Sequence, residues 1–284
     1  MNILVTGSNG QLGNEMRALA ALRSQHKWHL TDVDELDISD EQAVHHYVAG
    51  NRIELIVNCA AYTDVEKAEV YPSKAYILNR DAPGYLADAA RENGAAIIHI
   101  STDYVFNGET CLPYDENEDP DPRSVYGKSK EHGERQVREK CEQAMIIRTS
   151  WLYSAHGNNF VKTMLRLGRE RDNIDVVFDQ VGTPTYASDL MRVIGVIIEC
   201  GIQPGTYHFS DEGVCSWYDF AMAIFRMAGI TNCQVSPIHS SEYRAHAPRP
   251  FYAVLDKTKI KTAYGIQIPH WENSLRRCLA NMQI

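Results

Sequence analysis

The sequence predicts an α/β protein built on a doubly wound parallel sheet, with a smaller α+β region laid over its mouth. Three observations carry that prediction. A short apolar run, Asn2-Ile-Leu-Val-Thr6, ends in the turn Gly7-Ser-Asn-Gly10-Gln-Leu-Gly13 and enters a helical pattern through Met16, Leu19 and Leu22. Short apolar runs then alternate with helical patterns as far as Arg148, an order that right-handed crossovers convert into a parallel sheet. Several of these runs end in small or polar residues, which leave room for a ligand at the carboxyl edge of such a sheet.

Each element has its own signature. The first run fits a buried strand. Behind it, glycines let the backbone approach a pyrophosphate, and the free N–H groups and dipole of the next helix hold its charge. Gly7, Gly10, Gln11, Leu12 and Gly13 are therefore candidate cofactor contacts. The spacing is Gly-x-x-Gly-x-x-Gly, not the Gly-x-Gly-x-x-Gly of the common dinucleotide fingerprint. A second strand, Trp28-His-Leu-Thr31, leads to Asp32, nineteen residues after Gly13. An acid at that distance binds a ribose 2′-hydroxyl and repels a 2′-phosphate. No arginine directly follows Asp32, which favours NADH, or use of both NADH and NADPH, over strict NADPH use. Asp34 competes for the role, and a solvated acidic turn is the plain alternative.

Asp37-Ile38-Ser39-Asp40 opens a helix with Ser39 or Asp40 as cap. Residues 53–58 form a third strand running into Cys59-Ala60-Ala61-Tyr62, whose small side chains permit close approach by a ligand. A helix over about 73–93 and a strand over 96–100 follow, ending in Ser101-Thr102-Asp103-Tyr104. Residues 107–123, rich in Gly, Pro, Asp, Glu and Asn, read as a loop. A helix opened by Ser124 runs to about residue 141, then a strand over 144–148 leads to Thr149-Ser150-Trp151. Beyond it the alternation loosens: helices near 158–169, 187–200, 216–228 and from about 270, with short strands at 174–178 and 206–209. Residues 1–150, with part of 172–200 packed on them, are expected to form the dinucleotide-binding unit. Residues 151–284 are expected to be mainly substrate-binding.

Composition narrows the function classes. The 284 residues are 44% hydrophobic and 23% charged, ordinary for a folded globular chain. A net charge of −9 with no offsetting basic run argues against nucleic acid as a partner. Seven scattered cysteines without a Cys-x-x-Cys read as reduced thiols, and eleven histidines show no ligand spacing with other donors. No apolar run approaches the roughly 18 residues of a membrane span, and the first residues read as a strand rather than a signal peptide. The cytoplasm is the expected location. Residues Glu131 to Arg138 alternate in charge at helical spacing, which reads as a solvated face.

The chemistry centres on Tyr126 and Lys130, four apart and so on one face of their helix. Bringing a phenol from its ordinary pKa of about 10 to about 7 takes roughly 4 kcal/mol. One ammonium group is not enough, so a second positive charge or a hydrogen bond must help. Lys128, two residues from Tyr126, falls off the shared face. The glycine turn, Ala60–Tyr62, Thr102 and Tyr126 all follow sheet strands and converge on one edge.

The turn at 7–13, Ser101-Thr102 and Tyr126-x-x-x-Lys130 together resemble the extended short-chain dehydrogenase/reductase family, a Rossmann-type fold. Within it the chain is similar, over essentially its whole length, to the dTDP-4-dehydrorhamnose reductases. The stretches that carry this are Val57-Asn-Cys-Ala-Ala61, Ser101-Thr-Asp-Tyr-Val-Phe106, Arg148-Thr-Ser-Trp-Leu-Tyr153, Asn158-Asn-Phe-Val-Lys-Thr-Met-Leu165, Asp179-Gln-Val-Gly-Thr-Pro-Thr185 and Arg249-Pro250. The resemblance implies an NADPH- or NADH-dependent oxidoreductase acting on the C4 keto group of a dTDP-linked sugar. It implies Tyr126 as proton donor, Lys130 on the nicotinamide ribose and Thr102 on the substrate carbonyl oxygen. Asp103, Tyr104 and Trp151 match substrate positions, and Asp32, Asp37, Ile38, Ala60, Ala61 and Tyr62 match cofactor positions. Ala253 stands where the family usually has serine. Some members form homodimers around a magnesium ion; Glu15 matches one acidic position, and no metal is assigned.

Two other readings share the scaffold. A nucleotide-sugar 4,6-dehydratase usually has two acids directly after the threonine, whereas Asp103 is followed by Tyr104. A non-catalytic, cofactor-binding regulatory subunit would not need Thr102, Tyr126 and Lys130 together.

Overall fold

The computed structural model describes all 284 residues. Its first half alternates as β1 (Asn2–Thr6), α1 (Gln11–Leu22), β2 (Lys27–Leu30), α2 (Glu41–Gly50) and β3 (Leu55–Asn58). Helices α3 (Val65–Val70), α4 (Pro72–Tyr76) and α5 (Ala82–Glu92) follow, then β4 (Ala96–Thr102), α6 (Val125–Lys140) and β5 (Ala144–Thr149). The second half contains β6 (Leu152–Tyr153), α7 (Phe160–Glu170), β7 (Asn173–Val177), β8 (Val181–Gly182), β9 (Thr185–Tyr186) and α8 (Ala187–Cys200). It ends with β10 (Gly205–His208), β11 (Cys215–Ser216), α9 (Trp217–Ala228), β12 (Gln234–Ile238), α10 (Thr258–Tyr264) and α11 (Trp271–Asn281).

The main sheet has six strands in the order β10-β5-β4-β3-β1-β2, all parallel. The order reverses between β1 and β3, and a ligand crevice in such a sheet lies outside the strand ends at that point. One apolar layer joins α1 and α8 to the sheet through Met16, Leu19, Leu190, Ile194 and Ile197. The other packs α2 and α5 through Val44, Val48, Leu86 and Ala90. Residues on both sides of β3 and β4 are buried, which is why these strands read as continuous apolar runs rather than alternating ones.

The structure departs from the sequence reading at several places. The helix expected over 73–93 is preceded by the separate α3, and a wide π turn at Ile77–Asp81 interrupts it. That turn carries the buried Asn79, whose side chain accepts from Tyr62 N (2.8 Å) and donates to Tyr62 O (3.0 Å) and Ser129 Oγ (3.0 Å). A hydrophobic pattern carries no trace of such a polar tie. Strand β12, paired with β7, and helix α10 were also not foreseen. The charged run on α6 is not wholly solvated: Glu131 and Glu134 are buried, the latter completely. Their partners explain it. Glu134 is paired with Arg148 on β5, which the sequence of the helix cannot reveal.

A second core, around Tyr153, Phe220, Ile224, Trp271 and Leu275, gathers α7, α9 and α11. Asp211 is buried beside it. Its Oδ2 accepts from Tyr186 N (3.1 Å), whereas Oδ1 has no partner. Burial, reinforced by the nearby Asp189 carboxylate, pushes Asp211 up to about 8. The native state thus keeps a proton that the unfolded chain releases near its ordinary carboxyl range. Stability from this group is full at acid pH and is lost as pH rises through about 8. Replacing Asp211 by Asn should therefore shift the melting temperature, relative to wild type, increasingly in the variant's favour between about pH 5 and pH 9. Scanning calorimetry at both ends checks it; a constant difference would contradict the assignment. No helix is long and apolar enough to cross a membrane.

Candidate active site

A cleft of about 990 Å³ opens along the carboxyl edge of the sheet at the β1/β3 reversal. At one end lies the glycine turn. Gly7 has φ +66°, and a Cβ there would sit 2.7 Å from Ala60 Cα, so glycine lets the β1 and β3 exits close together. A Cβ on Gly13 would collide with the Gly7 carbonyl oxygen. Gly13 is thus committed to helix–strand packing and lies outside the cleft lining. The N-terminus of α1 has Gly10 as cap with no side-chain hydrogen bond, leaving its backbone N–H groups available. That feature, with the close glycine approach, fits a dinucleotide pyrophosphate.

Gly7, Gly10, Gln11, Leu12, Asp32, Asp37, Ile38, Ala60 and Ala61 line this part of the cleft. The Asp32 carboxylate accepts from Asn9 N and Val33 N, both at 2.9 Å, tying the β2 exit to the glycine turn. Tyr62 is outside the lining; its backbone is fastened to Asn79 instead. Arg17, missed in the sequence, braces the turn from α1 with bonds to Ser8 O (2.9 Å), Ser8 Oγ (2.6 Å) and Asn9 Oδ1 (2.8 Å).

At the other end Thr102, Asp103, Tyr104, Tyr126 and Lys130 meet. Ser124 caps α6 by accepting from Gly127 N (3.0 Å), which fixes where Tyr126 enters. Glycine is required at 127, since a Cβ would run into the Tyr104 carbonyl. The Tyr126 and Tyr104 rings meet edge to face, centroids 5.4 Å apart. Burial pushes the Tyr126 phenol up to about 12, against a lowering from the Thr102 hydroxyl that faces it, and the Asp103 charge adds to the rise. Burial lowers Lys130 to about 8, only partly offset by Glu134. The Lys130 ammonium donates to Ile100 O (2.6 Å). The sequence reading expected the lysine to pull the phenol down. In the chain by itself the phenol answers to burial, Thr102 and Asp103, and Lys130 is not among the groups that shift it. Lys128 is exposed, as its position off the shared face implies. Cys59 also lines the cleft, but burial holds its thiol up near about 12, so it offers no thiolate.

The far wall is aromatic. Trp151 adopts φ +47°, a costly backbone for a non-glycine residue. Its indole stacks on Trp217 with centroids 3.6 Å apart and planes 11° from parallel. Gly182 makes room, since a Cβ there would approach Trp151 Cε2 to 2.7 Å. Trp217 also lines the cleft and was not foreseen. Its position at the start of a helix in the second half gave no signal.

The short helix α3 closes the remaining side. Glu66 accepts from His246 N (2.8 Å), Ala247 N (3.4 Å) and Arg249 Nη2 (3.0 Å), and Arg249 lines the cleft. Glu69, one turn on, accepts from Val125 N (2.8 Å) beside Tyr126. Ala253 is buried outside the lining, its N–H bonded to Val181 O (2.8 Å). Glu15 lies near Asp189 and Ser188, but Asp189 is already engaged by Ser274 and Arg277. No group of three or more His, Cys, Asp or Glu side chains is arranged to hold a metal ion.

Residues 1–284 match the family described as the RmlD substrate binding domain. A dTDP-4-dehydrorhamnose reductase from Aggregatibacter actinomycetemcomitans is 40% identical over 288 residues, spanning 98% of each chain. A crystal structure of a dTDP-4-dehydrorhamnose reductase from Clostridium acetobutylicum superposes with a TM-score of 0.96 at 42% identity, covering 100% of both chains. The enzyme of that name from Bacillus anthracis, solved in complex with NADP, gives 0.95 at 40% identity and 99% coverage of each. With full-length agreement in both sequence and fold, the chain belongs to the dTDP-4-dehydrorhamnose reductase family.

Proposed function

We propose that this chain reduces the C4 keto group of dTDP-4-dehydro-L-rhamnose to dTDP-L-rhamnose, using NADPH or NADH. The observation that carries the reading is convergence. Tyr126, Thr102 and Lys130 occupy one end of a continuous cleft whose other end is a glycine turn shaped for a pyrophosphate. The reduced nicotinamide, when bound, supplies the hydride.

The chain's own groups do the rest. Tyr126 is a neutral phenol at physiological pH and can give its proton to the carbonyl oxygen as charge develops there. Thr102 lies at the same end of the cleft to hydrogen-bond that oxygen. Lys130, with its carbon stem buried and its head at the β4 exit, holds the nicotinamide ribose and favours the phenolate that remains. Asp103 and Tyr104 face the sugar, and the Trp151–Trp217 pair offers a flat apolar wall. Residues 1–150, with part of 172–200, hold the cofactor, and 151–284 mainly the substrate. A homodimer fits the family resemblance.

Asp32, with both oxygens already bonded to backbone N–H groups, is a fixed negative charge where a 2′-phosphate would lie. The relative from Bacillus anthracis nonetheless holds NADP, so use of both cofactors is the expectation. Purified protein given enzymatically made dTDP-4-keto-L-rhamnose should consume NADH and NADPH, read as loss of nicotinamide absorbance. GDP- and UDP-linked keto sugars run alongside should react more slowly. A flat trace with both cofactors would sink the reading.

A further inference from the structure

One group in the cleft is not explained by substrate contact alone. Asp103 is 2% exposed, and its Oδ2 has no hydrogen-bond partner in the protein. A bare buried carboxylate oxygen is costly to keep charged. Its other oxygen, Oδ1, accepts from Thr102 Oγ1 at 2.9 Å. Thr102 and Tyr126 line the same end of the cleft. Carboxyl, hydroxyl and phenol thus share one end of the cleft, with Tyr126 itself only 9% exposed.

We propose that Asp103 is the proton reservoir that recharges Tyr126 through Thr102. The proposal rests on the reductase reading above. In the reducing step the Tyr126 O–H bond breaks and its proton joins the C4 oxygen of the substrate. The phenolate then takes the Thr102 hydroxyl proton. The Asp103 carboxylic acid proton replaces it on Oγ1, and the 2.9 Å bond runs in the opposite sense before and after. Asp103 is left as carboxylate and regains one proton from solvent when the cleft next opens. Each turnover therefore consumes one solvent proton, as reduction of a ketone requires.

The surroundings let Asp103 carry a proton near neutrality. Burial pushes its carboxyl up to about 7, against the lowering from the Thr102 hydrogen bond. The other ionisable groups acting with it are Tyr104 on its own turn and Tyr126 from α6. Beyond Tyr104 lies the Arg249–Glu66 pair.

The test combines kinetics with spectroscopy on the full chain. For wild type, kcat should fall as pH rises above about 7, with KM for cofactor unchanged. Asp103→Asn keeps the shape but carries no transferable acid proton. It should lower kcat on the order of 10² at low pH and abolish that limb. Thr102→Val, which cuts the relay while keeping Asp103, should abolish the same limb. Infrared difference spectra should show a buried carboxylic acid band that disappears as pH rises, in wild type and Thr102→Val but not in Asp103→Asn. Retention of the limb in either variant, or no such band in wild type, overturns the relay. A wild type inert towards every keto sugar overturns the reductase reading instead, and the relay is then judged on the infrared band alone.

Discussion

Tyr126→Phe is expected to cut turnover by a factor on the order of 10² or more while leaving cofactor affinity nearly unchanged. The substitution deletes one oxygen from a ring whose packing against Tyr104 and α3 remains in place. KM for the keto sugar should move little, since the phenol makes its strongest interaction as charge develops on the carbonyl oxygen. Steady-state kinetics together with fluorescence titration of the cofactor separate the two effects. Equal activity in wild type and variant would remove Tyr126 from the chemistry. A parallel loss of cofactor binding would assign it a structural role instead. Lys130 should behave differently, because in the proposed reading it holds the nicotinamide ribose; its loss should affect both cofactor affinity and kcat.

The second large effect concerns a residue that touches no ligand. Glu134 is fully buried and receives Arg148 Nε (2.9 Å), Arg148 Nη2 (2.8 Å), Arg138 Nη1 (3.0 Å) and Ser101 Oγ (2.6 Å). Burial alone would raise its pKa. The Arg148 hydrogen bonds and charge, helped by Ser101 and Arg138, more than offset that and leave it below the usual range. Stability from this group is present above the ordinary glutamate pKa and is lost as pH falls through the lowered one. Glu134→Ala would strand the Arg148 guanidinium, 3% exposed, without a counter-charge. Removing one partner of a buried pair costs about 3–5 kcal/mol, a large share of the roughly 5–15 kcal/mol that holds a typical domain together. Urea denaturation should show the midpoint falling at unchanged slope. A loss under about 1 kcal/mol would place the pair among weakly contributing surface contacts. Because Glu134 lies one turn beyond Lys130 on α6, residual activity should fall with the stability.

The parts legible from the sequence were those whose signal is local. A strand, a glycine turn and a helix start are contiguous, so that end of the cleft could be read directly. Tyr126 and Lys130 declare their shared face by spacing, and Thr102 and Asp103 follow a strand end. What could not be read depends on partners far apart in the chain. Trp217 gains a role only by stacking on Trp151, 66 positions earlier. Glu66 and Arg249 are 183 residues apart, and nothing in Val65–Val70 predicts that its acids brace both a distant segment and the start of α6. Glu134 looked solvated because only its helix neighbours were visible. Asn79 and the π turn belong to the same class: a buried amide reshaped a helix whose apolar pattern looked regular. The phenol's electrostatics also eluded the sequence, since the extent of burial around Tyr126 is a property of the assembled cleft.

The origin of β10 has a consequence for how the molecule is made. The strand beside β5 in the main sheet is residues 205–208, and the helix covering α1 is residues 187–200. A ribosome that has released the first five strands has therefore not finished the sheet. Until some sixty further residues emerge, the outer edge of β5 presents unpaired N–H and C=O groups, and the α1 face of the sheet is bare of Leu190, Ile194 and Ile197. Such an edge is prone to pair with another chain. The nascent protein thus passes through an interval in which it is most vulnerable to aggregation and most dependent on chaperones. That interval closes only when the chain doubles back to complete the main sheet with a strand from its second half.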